Sequence, residues 1–432
     1  MNSIWTESAT LPHFEALYED KKTDVLILGG GITGILCAYF LQKAGVDYIL
    51  AEGREICSGI TKNTTAKITA QHGLIYDKLL KSAGPLKAEM YLKANQRAVK
   101  KYFELCRDIG CDFEEKTSWI YSLNDRKKLE EEAEALYRMG ADVRISDTTE
   151  LPFAVAGAVG MEKQGQFHPL KFLGKLAEGL KIYENTFVKE LKEHTAVTEK
   201  GNIHFKQLIV ATHFPVDNKH GMYFLKMYQH RSYVIALKNA APINGMYLDE
   251  AKGGMSFRGF EDYLLIGGGG HRTGKKGGNW QELRSFANKY YTDAEIKYFW
   301  AAQDCMSLDQ IPYIGAYSPN MPGCYAASGY NKWGMTSSMA AAELLADMVL
   351  GKENPFAEVF NPSRSMLKPQ LLVNGCESVK NLLTPSEKRC PHLGCALKWN
   401  GAEQSWDCPC HGSRFDKDGG LIDNPANGDL KP

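Results

Sequence analysis

The run Asp24-Val25-Leu26-Ile27-Leu28 is short, aliphatic and β-branched, with polar residues before it and three glycines after it. It predicts a strand buried on both faces of a parallel sheet. The apolar stretch 35–44 that follows stops at Gly45 and predicts a helix with a glycine stop signal. A second apolar run, Tyr48-Ile49-Leu50-Ala51, completes a βαβ unit of about 30 residues. Charged amphipathic stretches at 86–108 and 126–139 predict surface helices, and 204–211 predicts another strand. Between 220 and 275 apolar and polar positions are mixed, as around Tyr233-Val234-Ile235-Ala236-Leu237. That pattern predicts antiparallel sheet with one covered face. A helix rich in Ala, Leu and Met is expected over 336–350, ending at Gly351. Beyond it Asn354-Pro355, Asn361-Pro362 and Lys368-Pro369 punctuate a linker-like stretch.

The chain has 432 residues, enough for two or three domains at about 150 residues each. Lys+Arg and Asp+Glu are both 51, so no basic surplus exists to neutralise phosphates, which argues against a nucleic-acid partner. No apolar run approaches the roughly 20 residues of a membrane span, and the N-terminus shows no export signal, so a cytoplasmic location is expected. Five of the eleven cysteines (Cys376, Cys390, Cys395, Cys408 and Cys410) crowd the C-terminal end. An odd total in an unexported chain points to metal or redox chemistry there rather than a disulfide scaffold.

In Gly29-x-Gly31-x-x-Gly34 the first glycine permits a tight turn. The second lets backbone approach a pyrophosphate, and the third lets helix pack on strand. Glu52, about 20 residues on at the end of the second strand, is placed to accept from ribose hydroxyls and to repel a 2′-phosphate. A glycine-rich turn of an ordinary α/β core is the plain alternative, but it does not call for strand, helix and acid in register. The loop alone does not separate FAD from NAD.

Two further stretches do. Ser58-Gly59-Ile60-Thr61-Lys62-Asn63-Thr64-Thr65-Ala66-Lys67 and Ser328-Gly329-Tyr330-Asn331-Lys332-Trp333-Gly334-Met335-Thr336 resemble the D-amino-acid-oxidase-like FAD oxidoreductases, with Pro312-Tyr313-Ile314-Gly315 in support. The resemblance covers about 20–352 and implies FAD held by Gly29, Gly31, Ile32, Thr33 and Gly34, and by Glu52, Gly53 and Arg54. It also implies contacts from Thr65, Ala66 and Lys67, from Val188, Ala211 and Thr212, and from Gly329, Asn331, Lys332, Trp333, Gly334 and Met335. The 336–350 helix would point its N-terminus at the flavin pyrimidine edge. Sarcosine-oxidase-like relatives bond the flavin through a cysteine at a position that here is Ala302, with Cys305 three residues on, so noncovalent FAD is expected.

Cys390-Pro391-His392-Leu393-Gly394-Cys395 and Cys408-Pro409-Cys410-His411-Gly412-Ser413 form a C-x-H and a C-x-x-H box. By ligand type alone these suit a two-iron cluster or tetrahedral zinc. The box sequences resemble those of Rieske proteins. That implies a [2Fe–2S] cluster on Cys390, His392, Cys408 and His411, with Cys395 and Cys410 matching a bracing disulfide and Ser413 a hydroxyl donor to the cluster. Phe415 stands where a tyrosine donor often sits, which would lower the potential. The module, 385–432, lacks the usual strands before its first box. At that size the cluster or docking on the flavin domain must stabilise it.

The expected fold is thus an α/β, Rossmann-like FAD-binding domain with an inserted antiparallel-sheet substrate domain, plus a small all-β Rieske domain. The flavoenzyme part is 1–352, with FAD-binding segments 20–80, 150–215 and 305–352 and substrate segments 81–149 and 216–304. A linker is expected at 353–384. Candidate catalytic residues are Lys67, near the flavin, Arg231, which could clamp a substrate carboxylate or as easily pair with a carboxylate of the protein, and His271, with Tyr228 and His230 nearby. The resemblance implies a dehydrogenase of an amine or N-substituted amino acid that passes electrons from FAD through the cluster to an external acceptor. The alternative is an electron-transfer module whose flavin exchanges electrons with a partner redox protein and oxidises no small molecule itself.

Overall fold

A computed structural model describes residues 2–217 and 220–430. The first aliphatic run becomes Lys21–Leu28, the centre of an eight-stranded sheet ordered Tyr313–Ala316, Cys324–Ser328, Asn202–Val210, Lys21–Leu28, Tyr48–Ala51, Ile182–Tyr183. The hairpin Glu190–Lys192 and Thr195–Val197 joins it beside Asn202–Val210. Leu28 pairs in parallel register with Val210 on one side and Ala51 on the other. Alternation divides its side chains. Val25 and Ile27 join the core beneath the helices Ile32–Lys43 and Gly334–Val349, while Leu26 and Leu28 face a second core with Tyr223 and Tyr317. Both faces are covered, so the strand reads as continuously apolar.

The second sheet has nine strands. Its order is Glu295–Ser307, Met227–Lys238, Tyr263–Arg272, Ser256–Phe260, Met246–Asp249, Glu114–Ser122, Gly157–Gln166, Lys67–Ile68, with Val143–Ser146 beside Gly157–Gln166. It is the inserted sheet expected from sequence, with two differences. Met246–Asp249 runs parallel to Glu114–Ser122. Gly157–Gln166 and Lys67–Ile68, both expected in FAD-binding segments, pair with each other in this sheet.

The stretch expected as a linker is not extended. It carries the helix Pro369–Leu383, with Pro369 in the first turn, where its missing N–H has no partner to lose. Arg364 anchors the approach, donating through Nε to Asp309 and through Nη1 to Pro312 O. Proline here starts a helix rather than breaking one. The C-terminal module is a four-stranded antiparallel meander of Lys398–Asn400, Ser405–Asp407, Arg414–Asp416 and Leu421–Asp423. Among the described residues no helix is long and apolar enough to cross a membrane.

Candidate flavin and cluster sites

The glycine-rich loop leaves the end of Lys21–Leu28 and enters Ile32–Lys43 with no room for side chains. A Cβ on Gly34 would lie 1.9 Å from Gly29 O. Gly29 itself sits at φ +104°, where a Cβ would meet Ala211 O at 2.6 Å. Glu52 Oε2 accepts from Gly30 N at 2.6 Å and Oε1 from Arg54 N at 2.8 Å. Burial pushes this carboxyl up, and the two N–H groups partly offset it. Gly53 packs under Phe187. Gly29, Gly34, Glu52, Arg54, Ala211 and Thr212 therefore converge at the carboxyl end of the parallel strands, with the helix N-terminus beside them. A bare loop, a helix N-terminus and an acid fit an ADP moiety. Val188 follows Phe187, which covers Gly53, and packs against the core that contains Leu28 and Ala51; Thr186 N donates to Glu52 O just before it.

The other expected flavin stretches meet the same edge. Thr33 Oγ1 and Tyr330 OH are 2.9 Å apart, and Ile32 N donates to Thr61 Oγ1. Asn331 and Lys332 both have left-handed φ, +52° and +74°. The Asn331 side chain holds that turn, accepting from Ser307 N at 2.9 Å and donating to Gly329 O at 2.6 Å. Trp333 stacks on His72 at 4.7 Å, and Tyr102 OH donates to Met335 O. The buried Arg258 donates from Nη1 to Thr65 O and Ala66 O, fixing the backbone before Lys67. Lys67 Nζ donates to Tyr247 O at 2.8 Å, and burial with Arg258 nearby brings its amine down to about 7. Cys305 is buried in Glu295–Ser307, and its carbonyl accepts from Asn331 N.

In the C-terminal module Cys390 and Cys408 are buried in one small core, and the buried Ser413, two residues after His411, accepts from Ala426 N through its hydroxyl. The His392 and His411 rings stand 5.0 Å apart at 88°. His411 is buried with neither ring nitrogen hydrogen-bonded. Two sulfurs and two imidazoles meeting around an orphaned ring fit a metal cluster. The Cys395, Cys408 and Cys410 sulfurs also lie within 4.8 Å of one another, but Cys395 and Cys410 are joined as a disulfide and are not thiolate ligands. Phe415 is fully buried and brings no hydroxyl.

The second box is seated on the flavin half. Gln229 Nε2 donates to His411 O at 3.1 Å and to Asn424 O at 2.9 Å. Gln303 Nε2 donates to Gly412 O at 2.9 Å, and Arg272 donates to Pro409 O and Cys410 O, both at 3.1 Å. Asn424 in return donates to Thr212 O and Phe214 O, and Arg54 to Ile422 O. A Cβ on Gly412 would be 2.5 Å from Gln229 Cβ, so backbone lies directly on side chain.

This junction relocates two expected catalytic residues. Arg231 binds Glu403 of the module at two points, and Glu403 also pairs with Arg414, which holds Asp407 and Asp423. His271 Nε2 lies 2.9 Å from Tyr233 OH, which donates to the same Glu403. Gln229, Arg231 and Tyr233 alternate along Met227–Lys238 and so share the face that the module covers. That spacing was the available signal for a docking face; the partners Gln303, Glu403 and Asn424 carried none. His230, on the intervening position, is drawn to about 3 by burial and by Lys332, and its Nδ1 lacks a partner.

Comparison with known proteins agrees with this geometry. Residues 24–348 match the family model described as FAD dependent oxidoreductase, and 366–432 match Rieske [2Fe-2S] domain. The chain is 35% identical to the Rieske 2Fe-2S iron-sulfur protein YhfW of Bacillus subtilis, over 99% of this chain and 97% of that one. It is 24% identical to gamma-glutamylputrescine oxidoreductase of Escherichia coli over 79% of this chain and 87% of that one. Among solved structures, L-proline dehydrogenase from P. horikoshii is similar with a TM-score of 0.68 at 20% identity, covering 80% of this chain and 98% of that one. Glycine oxidase from Geobacillus kaustophilus follows at 0.66 and 22%, covering 80% and 100%. FAD is thus the cofactor of the first domain, and a [2Fe–2S] cluster, not zinc, that of the second. The chain belongs to the FAD-dependent oxidoreductases and carries a Rieske domain at its C-terminal end.

Proposed function

We propose that this oxidoreductase dehydrogenates an amine or an N-substituted amino acid, and that its electrons leave through the Rieske module to an external acceptor. The observation that carries this reading is the seating of the second cluster box on Gln229, Gln303 and Arg272 of the flavin half. Bound FAD supplies a hydride acceptor and a bound [2Fe–2S] cluster a one-electron relay.

The chain's own residues do the rest. The 29–34 loop and the N-terminus of Ile32–Lys43 bind the pyrophosphate, and Glu52 the ribose. Arg258 holds the Thr65 and Ala66 backbone, and Asn331 ties its turn to Ser307 and Gly329, so both stretches are preorganised and would hold the ring when it is bound. Lys67 Nζ, brought down to about 7, takes the proton that the substrate ammonium must shed before its lone pair can assist C–H cleavage. With Arg231 and His271 engaged at the junction, a substrate carboxylate is not required for binding there. The gamma-glutamylputrescine relative, whose name denotes an amine, supports the same class.

Anaerobic mixing with a panel of amines and amino acids tests this. A substrate should bleach the flavin absorption and then raise the electron paramagnetic resonance signal of the reduced cluster. A flavin that no panel member bleaches, but that a partner redox protein reduces, favours the electron-transfer alternative.

A further inference from the structure

The helix Pro369–Leu383 is packed with its polarity reversed. Its buried residues are Asn374 and Asn381, whereas Leu372 is 74% exposed, Leu383 78% and the preceding Leu367 87%. The polar side holds the molecule together. Asn374 Oδ1 accepts from Arg272, Glu377 pairs with Lys275, and Asn381 O accepts from Ala396 N. Leu372, Cys376, Val379 and Leu383 recur at helical spacing, so they form one stripe on the outward face. A contiguous apolar stripe of this kind on a folded protein marks a binding surface.

The stripe ends at the cluster. Arg389 donates to Leu382 O, Thr384 O and Gly394 O, tying the helix end to the 390–395 turn. Leu382 Cδ2 lies 4.0 Å from where a Cβ on Gly394 would be. That turn carries His392, which is partly exposed, while His411 is 3% exposed with its ring 6.2 Å from that of Phe224 in the flavin half. Of the two imidazole-bearing residues, His392 is the more exposed. The rim is basic: between 378 and 400 Lys380, Lys388, Arg389 and Lys398 are exposed, against the single acid Glu387.

We propose that this face is the electron exit, a docking surface for an acidic one-electron carrier protein. The carrier's apolar centre meets the stripe around Val379, Leu382 and Leu383, its carboxylates meet Lys380, Lys388 and Arg389, and His392 is the ligand nearest to it. Each encounter moves one electron from the reduced cluster to the oxidised carrier, with no atom exchanged. A basic rim around a small apolar centre steers an acidic partner and releases it quickly, as a carrier requires. The proposal rests on the reading that electrons leave through an external acceptor.

The test uses the holoenzyme, its cluster reduced with dithionite, mixed in a stopped-flow instrument with an acidic c-type cytochrome or a basic one. The acidic cytochrome should be reduced faster, with a rate that falls steeply as salt rises. Lys380→Glu combined with Lys388→Glu should slow it at least tenfold at low salt and leave it unchanged at high salt, with the same loss in binding measured calorimetrically on the oxidised proteins. A polyethylene-glycol maleimide on Cys376, the exposed free cysteine among the described residues, should also slow it. Unchanged rate and affinity in the double variant, or preference for the basic cytochrome, would overturn the proposal. So would a Leu383→Glu variant that turns a dimer into a monomer in sedimentation and leaves the cytochrome rate intact, since the stripe would then bind a second copy. The cluster is reduced chemically, so failure of amines to bleach the flavin counts against the proposed substrate class alone.

Discussion

Arg231 and Glu403 are 172 residues apart in sequence and meet as a buried ion pair between the flavin half and the cluster module, with side chains 3% and 5% exposed. Burial would raise the Glu403 carboxyl, but Arg231 and Arg414 outweigh it and hold it below the usual range. Removing one partner strands the other charge, which in buried pairs costs about 3–5 kcal/mol. Glu403→Ala should therefore undock the module, seen as a separate low-temperature transition in calorimetry and as new protease cuts near residue 384. The sign with pH follows from the depressed carboxyl. The pair's contribution is complete above the ordinary value of about 4.3 and is lost as pH falls through the lower folded value.

Gly34→Ala should abolish FAD binding, because its Cβ would fall 1.9 Å from Gly29 O, a backbone atom that cannot step aside. The purified variant should carry iron and labile sulfide with little flavin. In the wild-type protein acid precipitation should release all flavin to the supernatant; colour left in the pellet would implicate Cys305.

Cys395 and Cys410 close a loop of 15 residues between the two boxes. A loop of that size is worth about 3 kcal/mol in the unfolded chain. Replacing both with serine should speed cluster loss on heating, followed by bleaching of the cluster's visible bands, while the flavin melting transition moves less.

His72 stacks on Trp333, and its Nε2 lies 2.9 Å from both Thr69 O and Thr336 Oγ1. Burial draws its imidazole down to about 3. The folded state then binds fewer protons than the unfolded one between about 6.5 and 3, so stability is full above that window and declines as pH falls through it. The melting temperature should drop from pH 7 to pH 5, and His72→Phe should reduce that slope.

Much of both sites could be read from local pattern. Gly29, Gly31, Gly34 and Glu52 belong to one βαβ unit, and each cysteine–histidine box is a single turn, so each lies within a short stretch of sequence; the choice of FAD over NAD and of a [2Fe–2S] cluster over zinc rests on resemblance. The junction could not be read, because its partners are single polar residues from distant segments: Gln229 with His411 and Asn424, Gln303 with Gly412, Arg231 with Glu403. For Arg231 the sequence left open a substrate carboxylate or one of the protein's own, and it is the protein's own Glu403 that it binds. The helix Pro369–Leu383 escaped notice for another reason. Its buried face is asparagine and its exposed face leucine, the reverse of the amphipathic pattern that marks a helix on a core, and Pro369 resembled a break.

The cluster module's buried core is seven residues, four of them cysteines. Hydrocarbon alone cannot hold such a unit together, so its folding would draw on the Cys395–Cys410 disulfide, on its seat on the flavin half and on bound iron and sulfide. Seated on Gln229 and Arg231, the module passes that dependence to the flavin half by mass action. In a cell short of iron the whole chain would become scarcer, flavin half included. Abundance of this flavoprotein would then report iron supply without any dedicated sensor.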